Sequence, residues 1–427
     1  MIPAASIVLI LLALLGMPLF AVIGGAALLG FHSAEINVAA VMVEFYRMAS
    51  APTLLAIPLF TFAGYLLAES RAPQRLLAVS RALVGWMPGG VALVTLFTCA
   101  GFTAFTGASG ATIVALGGLL FPMLQQEGFS EKFSLGLLTT SGSLGLLFAP
   151  SLPLILYGLV AGARVDHLFL AGFFPGLLII AVLSLSCMRA GRGFGLNAGR
   201  HPFSLAEAGR AVRGAAWEIP LIPIILVGIY GGFFTATEAA AVSAFYLLVV
   251  EVFVYRDLGL RRDLPRIMCE SMVLVGGILV ILGAALGFTS FLIDEEVPMR
   301  LLAAVRETIE SRIVFLIFLN LFLLVVGMMM DIFSAIIVVV PLIAPIAREF
   351  GIDPVHLGII FLTNLEIGYA TPPVGLNLFI ASYRFERPVT ELYRASLPFL
   401  GLLLIALIII TYWPGLSLFL VEWVTGR

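Results

Sequence analysis

The sequence is short of charge, of histidine and of cysteine, and each shortage excludes something. Of 427 residues, 11% are charged and 61% are hydrophobic. That balance leaves too little charge to cover a soluble enzyme and places the chain among polytopic helical membrane proteins. The formal net charge of -2 offers no basic field, so nucleic acid is not a partner. Cys99, Cys187 and Cys269 lie in or beside apolar runs with no paired spacing, which argues against a disulfide framework and a thiolate metal site. The first residues, "MIPAASIVLILLALLG", lack a basic leader region and read as a retained first helix.

What the chain has is apolar runs long enough to span a bilayer, at about 3–30, 52–68, 133–162, 168–188, 218–234, 236–255, 270–293, 355–383 and 396–424. Two further stretches, 89–124 and 313–347, are each long enough for two half-depth helices. Each has a break near its middle, Gly107–Gly110 in one and Gly327–Asp331 in the other, which is the pattern of a re-entrant hairpin. Arginine placement agrees, because short cytoplasmic loops carry excess Lys and Arg. Arg71, Arg75 and Arg81 mark one such loop, Arg189, Arg192, Arg200, Arg210 and Arg213 a second, and Arg256, Arg261, Arg262 and Arg266 a third. All three fall on one side if 89–124 goes in and returns. The acidic stretch with Asp294, Glu295, Glu296, Glu307 and Glu310 then faces the periplasm.

The chain also repeats itself. "PQRLLAVSR" from Pro73 returns as "PMRLLAAVR" from Pro298. A constant shift of 223 then carries Pro122 onto Pro345, Gly128 onto Gly351, Gly145 onto Gly368, Pro150 onto Pro373 and Pro175 onto Pro398. One ninemer lies in a basic loop and its copy follows the acidic one, so the repeats have opposite orientation. Inverted repeats with discontinuous helices are the architecture of secondary transporters. The expected fold is therefore all-α and polytopic, with two re-entrant helical hairpins and two discontinuous helices.

Each repeat supplies a hairpin tip and, later, a helix interrupted by Gly and Pro: "TTSGSLGLLFAPSLP" (139–153) and "NLEIGYATPPVGLN" (364–377). Proline removes a donor and leaves carbonyl oxygens near the break unpaired. Such carbonyls and small hydroxyls are hard ligands suited to Na⁺, and the C-terminal ends of half-helices add negative partial charge. One Na⁺ site is expected at Ser109 and Gly110 facing Ser141, Gly142 and Ser143. A second is expected at Gly327 and Asp331 facing Gly368 and Thr371. Unwound backbone at membrane depth is tolerated where it lines a cavity. Na⁺ is the coupling ion and no other cofactor is expected. Thr106, Ser109, Ser151, Thr371, Pro372 and Asn377 are the candidate substrate residues. The core has few basic side chains beyond Lys132 and Arg348, so an anion would be held by backbone N–H groups and half-helix N-termini.

Several residues carry a plainer alternative. Asp331 is an acid at membrane depth or the N-cap of the returning half-helix. Glu366, one turn before the second break, is a weaker functional candidate, and Glu238 reads as part of a helix start after Thr235 or Thr237. Ser and Thr hydroxyls in membrane helices often bond only to a carbonyl of their own helix or to a neighbour. "GASG" at 107–110 matches the signature of an intramembrane serine protease, which needs a base at the same depth. His32, His167, His201 and His356 all fall at span ends or in loops, and none is placed to serve. The paired hairpins also favour alternating access over an open channel.

The runs "LLAIPLFTFAGYLL", "FTGASGATIVALG", "SGSLGLLFAPSLPLILYG", "YGGFFTATEAAAV" and "GIDPVHLGIIFLTNLEIGYATPPVGLNLFIAS" together resemble the large membrane subunit of tripartite ATP-independent periplasmic (TRAP) transporters, over essentially the whole chain. The resemblance implies an elevator-type, Na⁺-coupled importer of organic acid anions such as a C4-dicarboxylate or sialic acid. It also implies two partners, a periplasmic substrate-binding protein and a small four-helix membrane subunit, and a bacterial inner membrane location. Some relatives fuse the small subunit, and this chain shows no such extension, so a separate partner is expected. The family's ion clusters map onto Ser109, Ser141, Gly142, Gly327, Gly368 and Thr371. Ala149, where relatives often carry proline, and Met at 328–330 depart from the pattern. A stand-alone Na⁺/carboxylate symporter is the alternative.

The expected division is a scaffold and first arm at 1–88, transport-domain halves at 89–163 and 313–383, scaffold helices and second arm at 164–312, and a C-terminal scaffold helix at 384–427. Both arms are expected to turn leucines such as Leu76, Leu77, Leu83, Leu301 and Leu302 toward lipid or protein, with arginines toward water.

Overall fold

The computed structural model describes residues 8–9, 11–12, 15–193, 204–309 and 311–426. Among them the regular structure is helical. Six helices are long and apolar enough to cross a membrane, or seven when the bent pair Glu131–Leu147 and Leu152–Ala161 is taken as one span. Much of the expected first span, together with Arg200, His201 and Glu310, lies outside the described residues. Within them the first full helix is Leu19–Ser33, which starts directly after Pro18.

Both expected hairpins fold back on themselves. The first consists of Gly90–Thr106 and Ser109–Gln126. A continuous helix would hold Thr103 and Thr112 about 13 Å apart, yet their hydroxyls lie 2.6 Å from each other. The second consists of Arg312–Met329 and Ile332–Glu349. Phe315 and Phe350 would be about 50 Å apart on one straight helix; their rings stack with centroids 4.4 Å apart. The breaks are narrower than the glycine spacing suggests. Only Gly107 and Ala108 leave the helix in the first, and only Met330 and Asp331 in the second. Ser109, Gly110 and Gly327 are therefore helical residues beside a tip.

The broken spans follow the same plan. Helix Glu131–Ser141 gives way to a tight turn at Leu144–Leu147 and then to Leu152–Ala161, with a bend of 50°. Helix Pro354–Gly368 is followed by an irregular stretch and then by Leu376–Phe385. The repeats are interlocked: Ile332–Glu349 packs on Leu152–Ala161, and Ser109–Gln126 packs on Leu376–Phe385. Each returning half-helix thus rests on the far half of the other repeat's broken span.

Around this core, the long helix Asp263–Asp294 packs on Leu19–Ser33, Ala39–Ala49 and Ala56–Glu69. Small residues bring these helices together, as in membrane interfaces generally; a Cβ on Gly283 would lie 2.3 Å from the Phe45 ring. Helix Ala39–Ala49 is one that the apolar runs do not reveal, because Glu44 and Arg47 interrupt its hydrophobicity. The run at 168–188 divides into Val165–Ala171 and Phe173–Gly193. The joint is Gly172, where a Cβ would fall 1.9 Å from the Leu147 carbonyl oxygen. The run at 396–424 divides before Pro414 into Val389–Tyr412 and Pro414–Thr425. Thr235 and Glu238 form a reciprocal capping box, as their spacing suggests.

One expectation about the arms, Ala72–Val84 and Val297–Thr308, is overturned. Arg75 does not point to water: its side chain is 15% exposed and pairs with Glu218, Glu251 and Asp257. Burial works against its charge, but the bonds to Glu218 and Asp257 more than offset this and push its pKa up. Its repeat counterpart, Arg300, is exposed.

Candidate ion and substrate site

The first tip is built by close approach. Gly107 adopts φ +64°, and a Cβ there would lie 2.9 Å from Leu152 Cβ and 3.3 Å from the Leu152 amide nitrogen. Only glycine combines that backbone with that neighbour. The contact sets the start of the returning half-helix, Ser109, beside the start of Leu152–Ala161. Neither N-terminus is capped by a side chain, since Ala108 has no polar atom to offer and Ser151 makes no capping bond. Two helix N-termini meeting without caps present unsatisfied N–H groups and positive partial charge to the same space.

Polar side chains border that space without partners of their own. Thr106 Oγ1, Ser151 Oγ and Asn377 Oδ1 are all buried with no hydrogen-bond partner among the described residues. Buried polar atoms are nearly always satisfied, so the orphans of Thr106 and Ser151 on either side of the Gly107–Leu152 contact mark a place where something else can bind. Asn377 ties the repeats together, with Nδ2 donating to the Thr139 carbonyl at 3.3 Å and its backbone N–H donating to Tyr369 at 3.0 Å. Gly110 faces Ile380, whose Cδ1 would lie 2.5 Å from an added Cβ. Of the six candidate substrate residues, Thr106 and Ser109 therefore flank the tip, Ser151 starts the helix beside it, and Asn377 lies one turn before Ile380 on the helix that packs against Ser109–Gln126. Thr371 and Pro372 are half-buried in the second break, and the Thr371 hydroxyl donates to the Ile367 carbonyl of the preceding helix at 2.8 Å.

The first ion candidates also meet. The Ser109 carbonyl oxygen lies 3.3 Å from where a Gly142 Cβ would be, so tip and break are in contact. Ser141, at the end of helix Glu131–Ser141, and Ser143, just past it, are buried, and their hydroxyls make long 3.4 Å bonds to the Leu138 and Thr140 carbonyls of that helix. A hydroxyl that donates in this way keeps its lone pairs for a cation. The carbonyl of Gly142 is held by Thr103, whose hydroxyl donates to it at 2.7 Å. Thr103 has only one proton, so Thr112 is the donor in the Thr103–Thr112 bond. This buried pair is a part of the site that the sequence reading missed. Its only signal is two threonines placed symmetrically about the tip.

At the second tip, Gly327 and Gly368 meet backbone to backbone: a Cβ on Gly368 would lie 2.5 Å from the Gly327 carbonyl carbon. The break is stitched to the tip by Gly375 N–H donating to Met328 at 3.0 Å and by Ile332 N–H donating to the Tyr369 hydroxyl. Asp331 caps the returning half-helix, accepting from Phe333 and Ser334 at 3.0 Å each. Glu366 is 1% exposed, and neither carboxylate oxygen has a partner among the described residues. His356, the histidine deepest in the core, is engaged at both ring nitrogens, by Ser417 and by the Thr411 carbonyl at 3.2 Å each.

The sequence that builds these paired hairpins and broken spans matches a known family. The sequence pattern of the tripartite ATP-independent periplasmic transporter, DctM component, covers residues 6–416. The chain belongs to that family of TRAP transporter large permeases. It is 36% identical over 425 residues to the C4-dicarboxylate TRAP transporter large permease protein DctM of Rhodobacter capsulatus, with 96% of each chain covered. It is 33% identical to the ectoine/5-hydroxyectoine TRAP transporter large permease protein UehC of Ruegeria pomeroyi, again over 96% of each chain. Similarity to the isethionate TRAP transporter permease protein DctMQ of Oleidesulfovibrio alaskensis is 35%, over 88% of this chain and 59% of that one. The fold is also that of the Alcanivorax borkumensis YdaH transporter, with a TM-score of 0.63 at 15% identity, covering 88% of this chain and 87% of the other. A TRAP large permease is a multi-pass membrane transport protein, and the apolar helices described above accord with that.

Proposed function

We propose that this permease imports organic acid anions by Na⁺ symport across the bacterial inner membrane. A periplasmic binding protein delivers the substrate, and a separate small four-helix subunit braces the scaffold. The observation that carries the reading is the junction at Gly107, where two uncapped helix N-termini meet beside buried oxygens of Thr106 and Ser151 that have no partner among the described residues. Helix N-termini bind carboxylate without a basic side chain. A site built from backbone groups discriminates weakly between acids, and similar permeases are named for C4-dicarboxylate, isethionate and ectoine. Selection among acids then falls to the binding protein.

The coupling ions occupy the two tip-and-break contacts, Ser109 and Gly110 with Ser141, Gly142 and Ser143, and Gly327 and Asp331 with Gly368 and Thr371. Na⁺ in the first would sit beside the substrate and offset its charge. The unit at 89–163 and 313–383 moves as one body against the remaining helices, because the interlocked returning half-helices bind its two halves together. This is an elevator form of alternating access.

The test is uptake of a labelled organic acid panel into proteoliposomes holding this chain and its small partner, with and without the binding protein and an inward Na⁺ gradient. The reading requires both. Uptake without the binding protein would make the chain a stand-alone symporter, and uptake without Na⁺ would remove the coupling ion.

A further inference from the structure

Two helices begin at the second tip and its break, Ile332–Glu349 and Leu376–Phe385. A helix start presents unsatisfied N–H groups and positive partial charge, which repel a cation and attract a carboxylate. One residue, Tyr369, bonds to both starts. Its hydroxyl accepts from the N–H of Ile332, the first residue of its helix. Its carbonyl accepts from the N–H of Asn377, the second residue of the other helix, at 3.0 Å. The next two N–H groups of Ile332–Glu349, those of Phe333 and Ser334, go to Asp331 Oδ1 at 3.0 Å each. Tyr369 and Asp331 together therefore cover the first turn of the returning half-helix.

Tyr369 is fixed in that position. Its own N–H donates to the Leu365 carbonyl of the preceding helix at 2.9 Å, and the residue is 3% exposed, so it cannot swing away without leaving buried groups unpaired. With the N–H groups covered, oxygen dominates the tip. Helices Arg312–Met329 and Pro354–Gly368 both end here with Gly327 against Gly368, and helix C-termini carry free carbonyls and negative partial charge. The first tip differs at the same positions. The shift of 223 puts Ser109 at Ile332, Ala108 at Asp331 and Leu146 at Tyr369. Alanine and leucine side chains have no oxygen to offer, and no side chain caps Ser109–Gln126.

We propose that Tyr369 determines which kind of ion the second tip accepts: its hydroxyl covers the Ile332 N–H and so reserves that tip for a cation. The inference rests on the reading that the second tip-and-break contact holds Na⁺. Tyr369 is a positioning residue in this role, since it acts on the helix start and not on the ion. At the first tip Leu146 supplies no such cover, and the Ser109 N–H is left to the anion. One tyrosine in place of one leucine thus turns two equivalent tips to opposite charges.

Calorimetric titration of Na⁺ into the full chain in lipid nanodiscs tests this. Tyr369→Phe keeps the ring and removes the hydroxyl. It should weaken the second Na⁺ site about tenfold, the worth of roughly one hydrogen bond, and leave the first site unchanged, which also shows that the variant is folded. Ile332→Pro removes the N–H itself. The position accepts proline, because it is the first of its helix and Asp331 before it is extended at ψ 157°, as a residue preceding proline prefers. Adding Ile332→Pro to Tyr369→Phe should restore the second site to within about twofold of wild type. A bond that only held the tip in place could not be restored by deleting its other half. Ile332→Pro alone should likewise keep the second site, and serves if Tyr369→Phe folds poorly. Unchanged Na⁺ binding in Tyr369→Phe, a double variant no better than Tyr369→Phe, or loss of the second site in Ile332→Pro would each overturn the proposal while the Na⁺ reading stands. No Na⁺ binding by the wild type would overturn both.

Discussion

The two tips occupy equivalent places in the repeat but are closed by different chemistry. Shifted by 223, Gly107 and Ala108 of the first become Met330 and Asp331 of the second, and the Thr103–Thr112 pair becomes Val326 and Ala335. The first tip leaves both of its helix N-termini without a side-chain cap and stabilises its break with hydroxyls. The second caps its returning half-helix with a carboxylate, leaves only the start of Leu376–Phe385 uncapped, and joins tip to break by glycine against glycine. An open N-terminus suits an anion, and a carboxylate at the same place repels one. The difference fits the proposed reading, in which the substrate anion binds at the first tip and the carboxylate of Asp331 favours a cation at the second.

The comparison is broken most severely at the turn itself. Gly107→Ala must place a Cβ at φ +64° against Leu152, at a combined cost of about 2–4 kcal/mol. Uptake should fall by about tenfold or more, whereas Met330→Ala, at φ -121°, should leave it within about twofold. Ala108→Asp copies the second tip onto the first. It should raise the substrate concentration for half-maximal uptake by about tenfold while Na⁺ binding persists, and unchanged substrate affinity would remove the anion from this junction. Thr103→Val copies the second repeat's Val326. It should destabilise the protein by about 1–3 kcal/mol, because Thr112 and the Gly142 carbonyl lose their partner in a buried site, and thermal unfolding measures it. Asp331→Asn should change stability by only a few tenths of a kcal/mol, since Asn caps as well as Asp. Transport should fall nonetheless if the charge faces an ion; wild-type uptake would leave Asp331 a cap.

The sequence made the broad plan legible for a physical reason. Glycine and proline interrupt helices locally, so the hairpins and broken spans announce themselves, and the fixed shift between their positions exposes the repeat. What it hid depends on contacts between distant segments. Thr103 and Thr112 pair only because the chain folds back in that register. Arg75 turns inward because its three acids arrive from positions 143, 176 and 182 residues away, which no helical wheel of the arm can foretell. Glu366 looked like a minor acid near a break, and only packing shows it buried, with neither oxygen partnered among the described residues.

The central claim, that each tip-and-break contact holds a coupling ion, is tested most directly by calorimetric titration of Na⁺ into the purified chain and into Ser141→Ala and Thr371→Ala. The account predicts Na⁺ binding at two sites in the wild type. Each variant should weaken one site by about tenfold, the loss of roughly one hydroxyl interaction, and leave the other unchanged. No Na⁺ binding by the wild type, or the same binding in all three proteins, would contradict it.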